Sequence, residues 1–325
     1  MRATRAHGVL LAAVVWLAVA GSHSAIAQDW PSKPVKIVVA FAPGGTADFF
    51  ARLLAPELSK IFKQQFYVEN RAGNSGATGS AFVARAEPDG YTLLIGGSGP
   101  HLTAPAINPN VGYDPLKDFT HLAMIGGDTY VLVAHPDLRL RSLAELVTWA
   151  RQNPATCASP GSGSLGHLIQ EQFRLRAGIK LQHVPFRGAG EAMSSLLGNH
   201  VSLAMLPVVS TGEHIRAGKL APIAVTATER HPAFADVPTF AELGYPEVRG
   251  TTWFWLAGPK NLPPEIAGKL ALELRRVVQD PAIKQRFAAD AILTQDTDAA
   301  GLNRFLAEEV AFWGEVARNL AIKVQ

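Results

Sequence analysis

The sequence predicts an α/β protein of two doubly wound lobes, joined by two crossover strands, with a ligand cleft between them. Three observations carry that expectation. Short apolar β-type runs alternate with amphipathic helical stretches along most of the chain, the pattern of parallel sheets covered by helices on both faces. The length, 325 residues, exceeds what one small core organises, so two lobes of ordinary size are expected. Three strand-to-helix turns are rich in glycine, and open α/β sheets bind ligands beyond the carboxyl ends of their strands.

Arg2 and Arg5, the apolar run Gly8–Ala20 and the small residues of Ala25-Ile26-Ala27 follow one another at the start. That order of basic, apolar and small segments is a secretory signal peptide, with cleavage expected after Ala27 and the mature protein in the periplasm. The apolar run is shorter than the ~20 residues a membrane-spanning helix needs. Without residues 1–27 the chain keeps 28 basic against 27 acidic side chains. So small a charge excess points to no polyanion, nucleic acid or anionic membrane as partner. The single cysteine, Cys157, excludes an internal disulfide.

Val35–Ala40 reads as a buried strand, and Thr46–Phe62 as a helix with Phe50, Leu53, Leu54, Leu58 and Ile61 on one face. Gln65–Val68 and Tyr91–Ile95 are strands around a helix near Ala77–Ala86. A second series opens with strand Tyr130–Ala134 and the capping box Ser142-Leu-Ala-Glu145, whose helix ends before Asn153-Pro154. Strands Ala155–Ser159, Leu181–Val184, Val201–Met205 and Pro222–Thr226 then alternate with helices Ser164–Ala177, Ala189–Leu197 and Thr211–Ala217. Thr251–Gly258 is again strand-like, and helices Pro264–Gln279, Pro281–Ala289 and Leu302–Leu320 finish the chain. Connections near Gly126–Tyr130 and Glu247–Thr251 mark the expected lobe boundaries. Residues 28–130 and 251–325 would form a discontinuous first lobe, and 131–250 the second.

The glycine-rich turns are Phe41-Ala-Pro-Gly-Gly-Thr-Ala-Asp48, Asn70-Arg-Ala-Gly-Asn-Ser-Gly-Ala-Thr-Gly79 and Ser159-Pro-Gly-Ser-Gly-Ser-Leu-Gly166. Each precedes a helix, whose first amides are unpaired and sit at the positive end of the dipole, so an anion can be held without a cationic side chain. Asp48 either balances its helix dipole or accepts from a ligand amine or a water. Thr46, Ser162 and Ser164 either donate to a ligand or cap their own helices. Gly161, Gly163 and Gly166 match the dinucleotide pattern GxGxxG, but the next strand ends in His183-Val-Pro-Phe-Arg187 with no acid for the ribose. No cofactor is therefore expected. The ten histidines show no metal-ligand spacing, and no GxSxG nucleophile elbow is present. His101 and His167 are read as packing or cleft residues, and Trp253 and Trp255 as core or hinge residues.

At these loops the chain resembles the substrate-binding component of tripartite tricarboxylate transporters, the Bug receptors. The likeness is carried by Trp30-Pro-Ser-Lys-Pro-Val-Lys-Ile-Val-Val, Pro43-Gly-Gly-Thr-Ala-Asp48 and Val68-Glu-Asn-Arg71 with Gly73, Gly76 and Gly79. Glu87-Pro-Asp-Gly-Tyr-Thr-Leu-Leu94, Tyr113-Asp-Pro-Leu-Lys-Asp-Phe119, Gly163-Ser-Leu-Gly-His-Leu168, Val184-Pro-Phe-Arg-Gly188, Ala217-Gly-Lys-Leu220 and Asp236-Val-Pro-Thr239 extend it across nearly the whole mature chain. The resemblance implies a type II periplasmic binding fold that closes on a small carboxylate and delivers it, as a monomer, to membrane permease subunits. Carried over by position, the proximal carboxylate contacts fall on Gly44, Gly45, Thr46, Ala47 and Asp48. Ser159, Gly161, Ser162, Gly163 and Ser164 face them, with Phe186, Arg187 and Gly188 at the rim and His101 at the distal end. Many relatives carry an acidic or amide pair where this chain has Leu206-Pro207, which points away from amino-acid ligands and toward an aliphatic or aromatic carboxylate. A stand-alone sensor of the same fold is the second reading. A secreted α/β enzyme is the third, and it lacks a nucleophile–base pair.

Overall fold

The computed structural model describes residues 30–108, 110–290 and 292–319. The signal peptide expected over residues 1–27 lies outside them, as does Leu320 at the end of the expected last helix. From Lys33 onward the described residues form one compact unit.

The first sheet is built from β1 (Val35–Val39), β2 (Phe66–Asn70) and β3 (Thr92–Gly97), with β1 parallel to both neighbours. Helix α1 (Thr46–Phe62) follows β1, and α2 (Ala77–Ala84) follows β2. After β3 the chain makes a π-helical turn, Gly99–Thr103, that runs into the short α3 (Ala104–Ile107). At the end of β3, Trp255 and Phe254 lie over Gly96 and Gly97 so closely that a Cβ would meet their rings.

β4 (Phe119–Ala134) is one continuous strand of 16 residues. Its first part, up to Thr129, pairs antiparallel with β9 (Thr251–Pro259), which in turn pairs antiparallel with β3. Its last part, Tyr130–Ala134, pairs antiparallel with β7 (Leu203–Pro207) and β8 (Ala221–Val225) in the second sheet. The segment Gly126–Tyr130, expected as a connection, is therefore the middle of a strand shared by both sheets. Burial explains why the sequence hides it. Nearly every β4 residue is covered on both faces, so no polar alternation marks where one sheet ends.

The second sheet continues with β5 (Ala155–Ser159), parallel to β7 and to β6 (Leu181–Pro185). Helices α4 (Leu143–Gln152), α5 (Leu165–Ala177), α6 (Ala189–Leu197) and α7 (Val208–Arg216) connect these strands. Both sheets are thus mixed rather than purely parallel, because β4 and β9 run against their neighbours. Period-2 alternation places Val131, Val133, Ala204 and Leu206 in one core and Leu132, Ala134, Leu203 and Met205 in another, on the opposite face. α4 starts as its sequence predicts: Ser142 Oγ accepts from the Glu145 amide at 3.2 Å, while the Glu145 carboxylate reaches one residue further back, to the Arg141 amide at 2.7 Å. Helices α8 (Pro264–Gln279), α9 (Pro281–Ala289) and α10 (Ala299–Asn319) return to the first sheet. There Trp255 is fully buried, its Nε1 donating to His121 Nδ1 at 2.9 Å.

Candidate functional site

Four helix N-termini converge on one small cavity between the lobes. Its lining includes Gly45, Thr46 and Ala47 at the start of α1, Ser164 and Leu165 at α5, Ala189 at α6 and Pro207 at α7. Two of the four are already satisfied by the protein. At α5, Ser164 Oγ accepts from the His167 amide at 3.2 Å, and His167 Nδ1 accepts from the Gly163 amide at 3.0 Å. At α7, Asp128 Oδ2 accepts from the Val209 amide at 3.3 Å. No side chain caps α1 or α6, whose N-caps are Gly45 and Gly188. These two helices come from different lobes and meet face to face. A Cβ placed on Gly45 would lie 3.6 Å from that of Ala189, and one on Gly44 would lie 3.4 Å from the Gly190 Cα. Uncapped amides at the positive ends of two opposed helices have the polarity that suits one anion.

Thr46 does not cap its own helix. Its hydroxyl donates to Asp128 Oδ2 at 2.6 Å. Asp128 lies on β4 where that strand passes between the sheets, so one buried carboxylate ties the α1 loop of the first lobe to α7 of the second. Burial pushes its pKa up to about 7 and outweighs the hydrogen bonds from Thr46 and the Val209 and Val208 amides.

Asp48 braces the first loop from within. Its Oδ2 accepts from the Gly44 amide at 3.1 Å and from Arg52 Nε at 2.9 Å, and its Oδ1 accepts from Asn70 Nδ2 at 3.0 Å. Burial raises its pKa, but the hydrogen bonds from Arg52, Asn70 and Gly44 prevail and leave it below the ordinary value. Such a group contributes stability above the unfolded pKa and loses it as pH falls through the folded one. Asp48→Asn should therefore destabilise the protein by about 2 kcal/mol at neutral pH. The difference should shrink below about pH 4. Thermal melts of both proteins across that range check it, and a constant gap would refute the ionic role.

The rest of the cavity is apolar, with Phe41, Tyr130, Pro160, Leu165, Pro207 and Phe254 around Thr252. Tyr130, Phe254 and Ala189 carried no signal in the sequence beyond core hydrophobicity. Of Leu206-Pro207, only Pro207 faces the cavity, because Leu206 points into the second-lobe core. The cavity measures about 40 Å³, far below the roughly 300–1,000 Å³ of ligand pockets. It is small because the jaws are shut. The Ala42 amide donates to the Arg187 carbonyl at 3.1 Å, and Ser210 Oγ donates to the Gly44 carbonyl at 3.3 Å. Ser75 Oγ and Thr103 Oγ1 donate to the Ser162 and Gly163 carbonyls.

These cross-cleft contacts separate the expected site residues into groups. Gly45, Thr46, Ala47 and Ser164 line the cavity. Gly161, Ser162, Phe186 and Arg187 line an outer recess of about 420 Å³, with Ser75 and Ile107 opposite. Gly163 and Gly188 face the first lobe at positions where a Cβ would strike Ile107 and Ala42. Ser159 is buried below its loop, its hydroxyl 2.6 Å from His183 Nε2. His183 stacks on His167 with ring centroids 3.8 Å apart, a pairing that chain separation concealed. Burial pushes both imidazoles down, His167 to about 3 and His183 to about 4. Among the described residues no third ligand joins them to hold a metal. His101 lies in the first-lobe core among Tyr113, Phe119, His121 and Trp255, away from the cavity.

The sequence profile of the tripartite tricarboxylate transporter receptor family matches residues 50–322. The chain belongs to that family. It is 34% identical over 321 residues to BugT of Bordetella pertussis, covering 97% of this chain and 98% of that one. The solved structure of the periplasmic binding protein BugD superposes with a TM-score of 0.87 at 30% identity, covering 91% of this chain and all of that one. An R. palustris protein with adipate gives 0.87 at 32% identity, covering 91% and 99% of the two chains. MatC of Rhodopseudomonas palustris, with bound malate, gives 0.84 at 29%, covering 88% and 99%. The fold is thus that of the TctC and Bug periplasmic binding proteins.

Proposed function

We propose that this receptor captures a small monocarboxylate with an aliphatic or aromatic body and delivers it to the membrane subunits of a tripartite transporter. One observation carries the reading: two uncapped helix N-termini from opposite lobes, at Gly45–Ala47 and Gly188–Ala189, meet over a cavity whose far wall is apolar. The carboxylate sits on those amides, with the Thr46 loop held in place by Asp128 and Asp48. Its body lies against Phe41, Tyr130, Pro207 and Phe254. No cationic side chain lines the cavity, so affinity comes from oriented amides and apolar burial. The related proteins with adipate and malate support a carboxylate ligand. Their ligands carry a second carboxylate, for which this cavity offers only Ser164, Thr252 and the Tyr130 hydroxyl.

The ligand enters with the jaws parted and is held when Gly44, Gly161, Gly163 and Gly188 let the loops approach. Gly161, Ser162, Phe186 and Arg187 form the outer rim. Ser159 supports its loop from behind the surface, held by His183. The lobes comprise residues 28–130 with 251–325, and 131–250, exchanging along β4 and at the start of β9. The receptor acts as an exported periplasmic monomer, without cofactor or catalytic step.

A thermal-shift screen of mono-, di- and tricarboxylates, aromatic acids and amino acids tests the reading. A ligand at 100 times its dissociation constant adds about 2.7 kcal/mol of stability. Monocarboxylates should raise the melting temperature most. A response confined to amino acids or tricarboxylates would reject the apolar distal wall as the selective element. Uptake of the responding acid into vesicles bearing the permease subunits, with and without the receptor, tests delivery.

A further inference from the structure

The hinge strands turn side chains to opposite faces by their period-2 alternation. Tyr130, Thr252 and Phe254 face the cleft cavity, whereas Thr129, Thr251 and Trp253 face a separate groove on the other side. That rear groove has a volume of about 540 Å³, the size of a small-molecule pocket. One wall is second-lobe chain, including Thr228 and Arg249, and the other is α10 with Glu309, Phe312 and Trp313.

Three features of the groove suit an occupant: a buried hydroxyl, exposed aromatic surface and an acid. Thr129 is only 3% exposed, yet its hydroxyl makes no hydrogen bond. A buried hydroxyl in that state is costly, so an occupant that completes it is favoured. Phe312 is 46% exposed and, with Trp253, offers aromatic surface. Glu309 accepts from Trp313 Nε1 at 3.1 Å. Burial first, and then Glu308, push its pKa up, with no cation beside it among the described residues. The rim charges leave this acid uncompensated. Arg230 is engaged by both Glu242 oxygens and the Ala235 carbonyl, and Arg249 and Glu229 add one lining charge of each sign.

We propose that the rear groove is a second binding site, for a small organic ammonium ion bearing a hydroxyl arm. The rings of Trp253 and Phe312 take the cation on their faces, Glu309 supplies the counter-charge, and the arm reaches Thr129. Both walls move with the hinge, so occupancy is linked to the cleft angle.

Choline is the probe, titrated into the purified protein by calorimetry and by tryptophan fluorescence. Its neutral isostere, with a quaternary carbon in place of nitrogen, is the control. Choline should bind, and the isostere should bind about tenfold more weakly, a difference of about 1.4 kcal/mol. Glu309→Gln, which keeps an acceptor for Trp313, should weaken choline about tenfold, and Thr129→Val about fivefold. Glu57→Gln, which removes a partly exposed acid paired with Lys60 and outside both cavities, should leave choline binding unchanged. The proposal is overturned if choline gives no signal at millimolar concentration, if the isostere binds equally well, or if Glu57→Gln weakens the response as much as Glu309→Gln.

Discussion

Gly190→Ala should abolish tight ligand binding while leaving the fold at least as stable. Gly190 lies in the first turn of α6, where alanine is the better helix former by about 1 kcal/mol. In the closed state, however, a Cβ at this position would lie 2.2 Å from the Pro43 carbonyl oxygen of the other lobe. That oxygen is backbone, so only separation of the jaws relieves the overlap. Separation breaks the cross-cleft bonds from Ala42 and Ser210 and those from Ser75 and Thr103. At about 1 kcal/mol for each bond lost, two or three of them correspond to roughly a hundredfold in affinity. Calorimetry with the acid found in the thermal-shift screen measures it. Affinity within threefold of the parent would show that closure does not pass through this contact. Gly45→Ala should be far milder, because its Cβ would meet Ala189 only at 3.6 Å, an ordinary contact.

Asp128→Asn should remove a pH dependence that the parent protein shows near neutrality. The folded-state pKa is about 7 against an ordinary 3.8, raised by burial. The protonated carboxyl therefore contributes stability in full below about pH 4, and that contribution is lost as pH rises through 7, on the order of 4 kcal/mol in all. The same ionisation places a negative charge one hydrogen bond from Thr46, beside the position proposed for the ligand carboxylate. Ligand affinity should fall by up to tenfold per pH unit above 7 in the parent and stay level in Asp128→Asn. Parallel profiles for the two proteins would remove Asp128 from the account.

Much of the site's local chemistry is legible in the chain. Gly44, Gly45 and Thr46 stand between a strand and a helix whose bounds, Thr46–Phe62, follow from helical periodicity alone. The α1 half of the proposed anion site is readable for the same reason, since unpaired first-turn amides are a local property of any helix start. Asp48 was ambiguous because its partners Arg52 and Asn70 belong to different elements, and only their convergence uses up both of its oxygens. β4 was cut short because burial on both faces erased its period.

The sequence by itself determined the α/β class, most of the helices and strands, and the bare amides that follow Gly44 and Gly45, but not the uncapped start of α6 at Gly188. Tertiary structure alone decided which of those turns meet. It filled the α5 and α7 termini with Ser164 and Asp128, left α1 and α6 open, and set Gly190 against Pro43. The physical reason is range. Periodicity and capping act over a few residues, whereas closure joins groups 60 to 166 residues apart, whose approach depends on the path of β4 and β9 through the hinge.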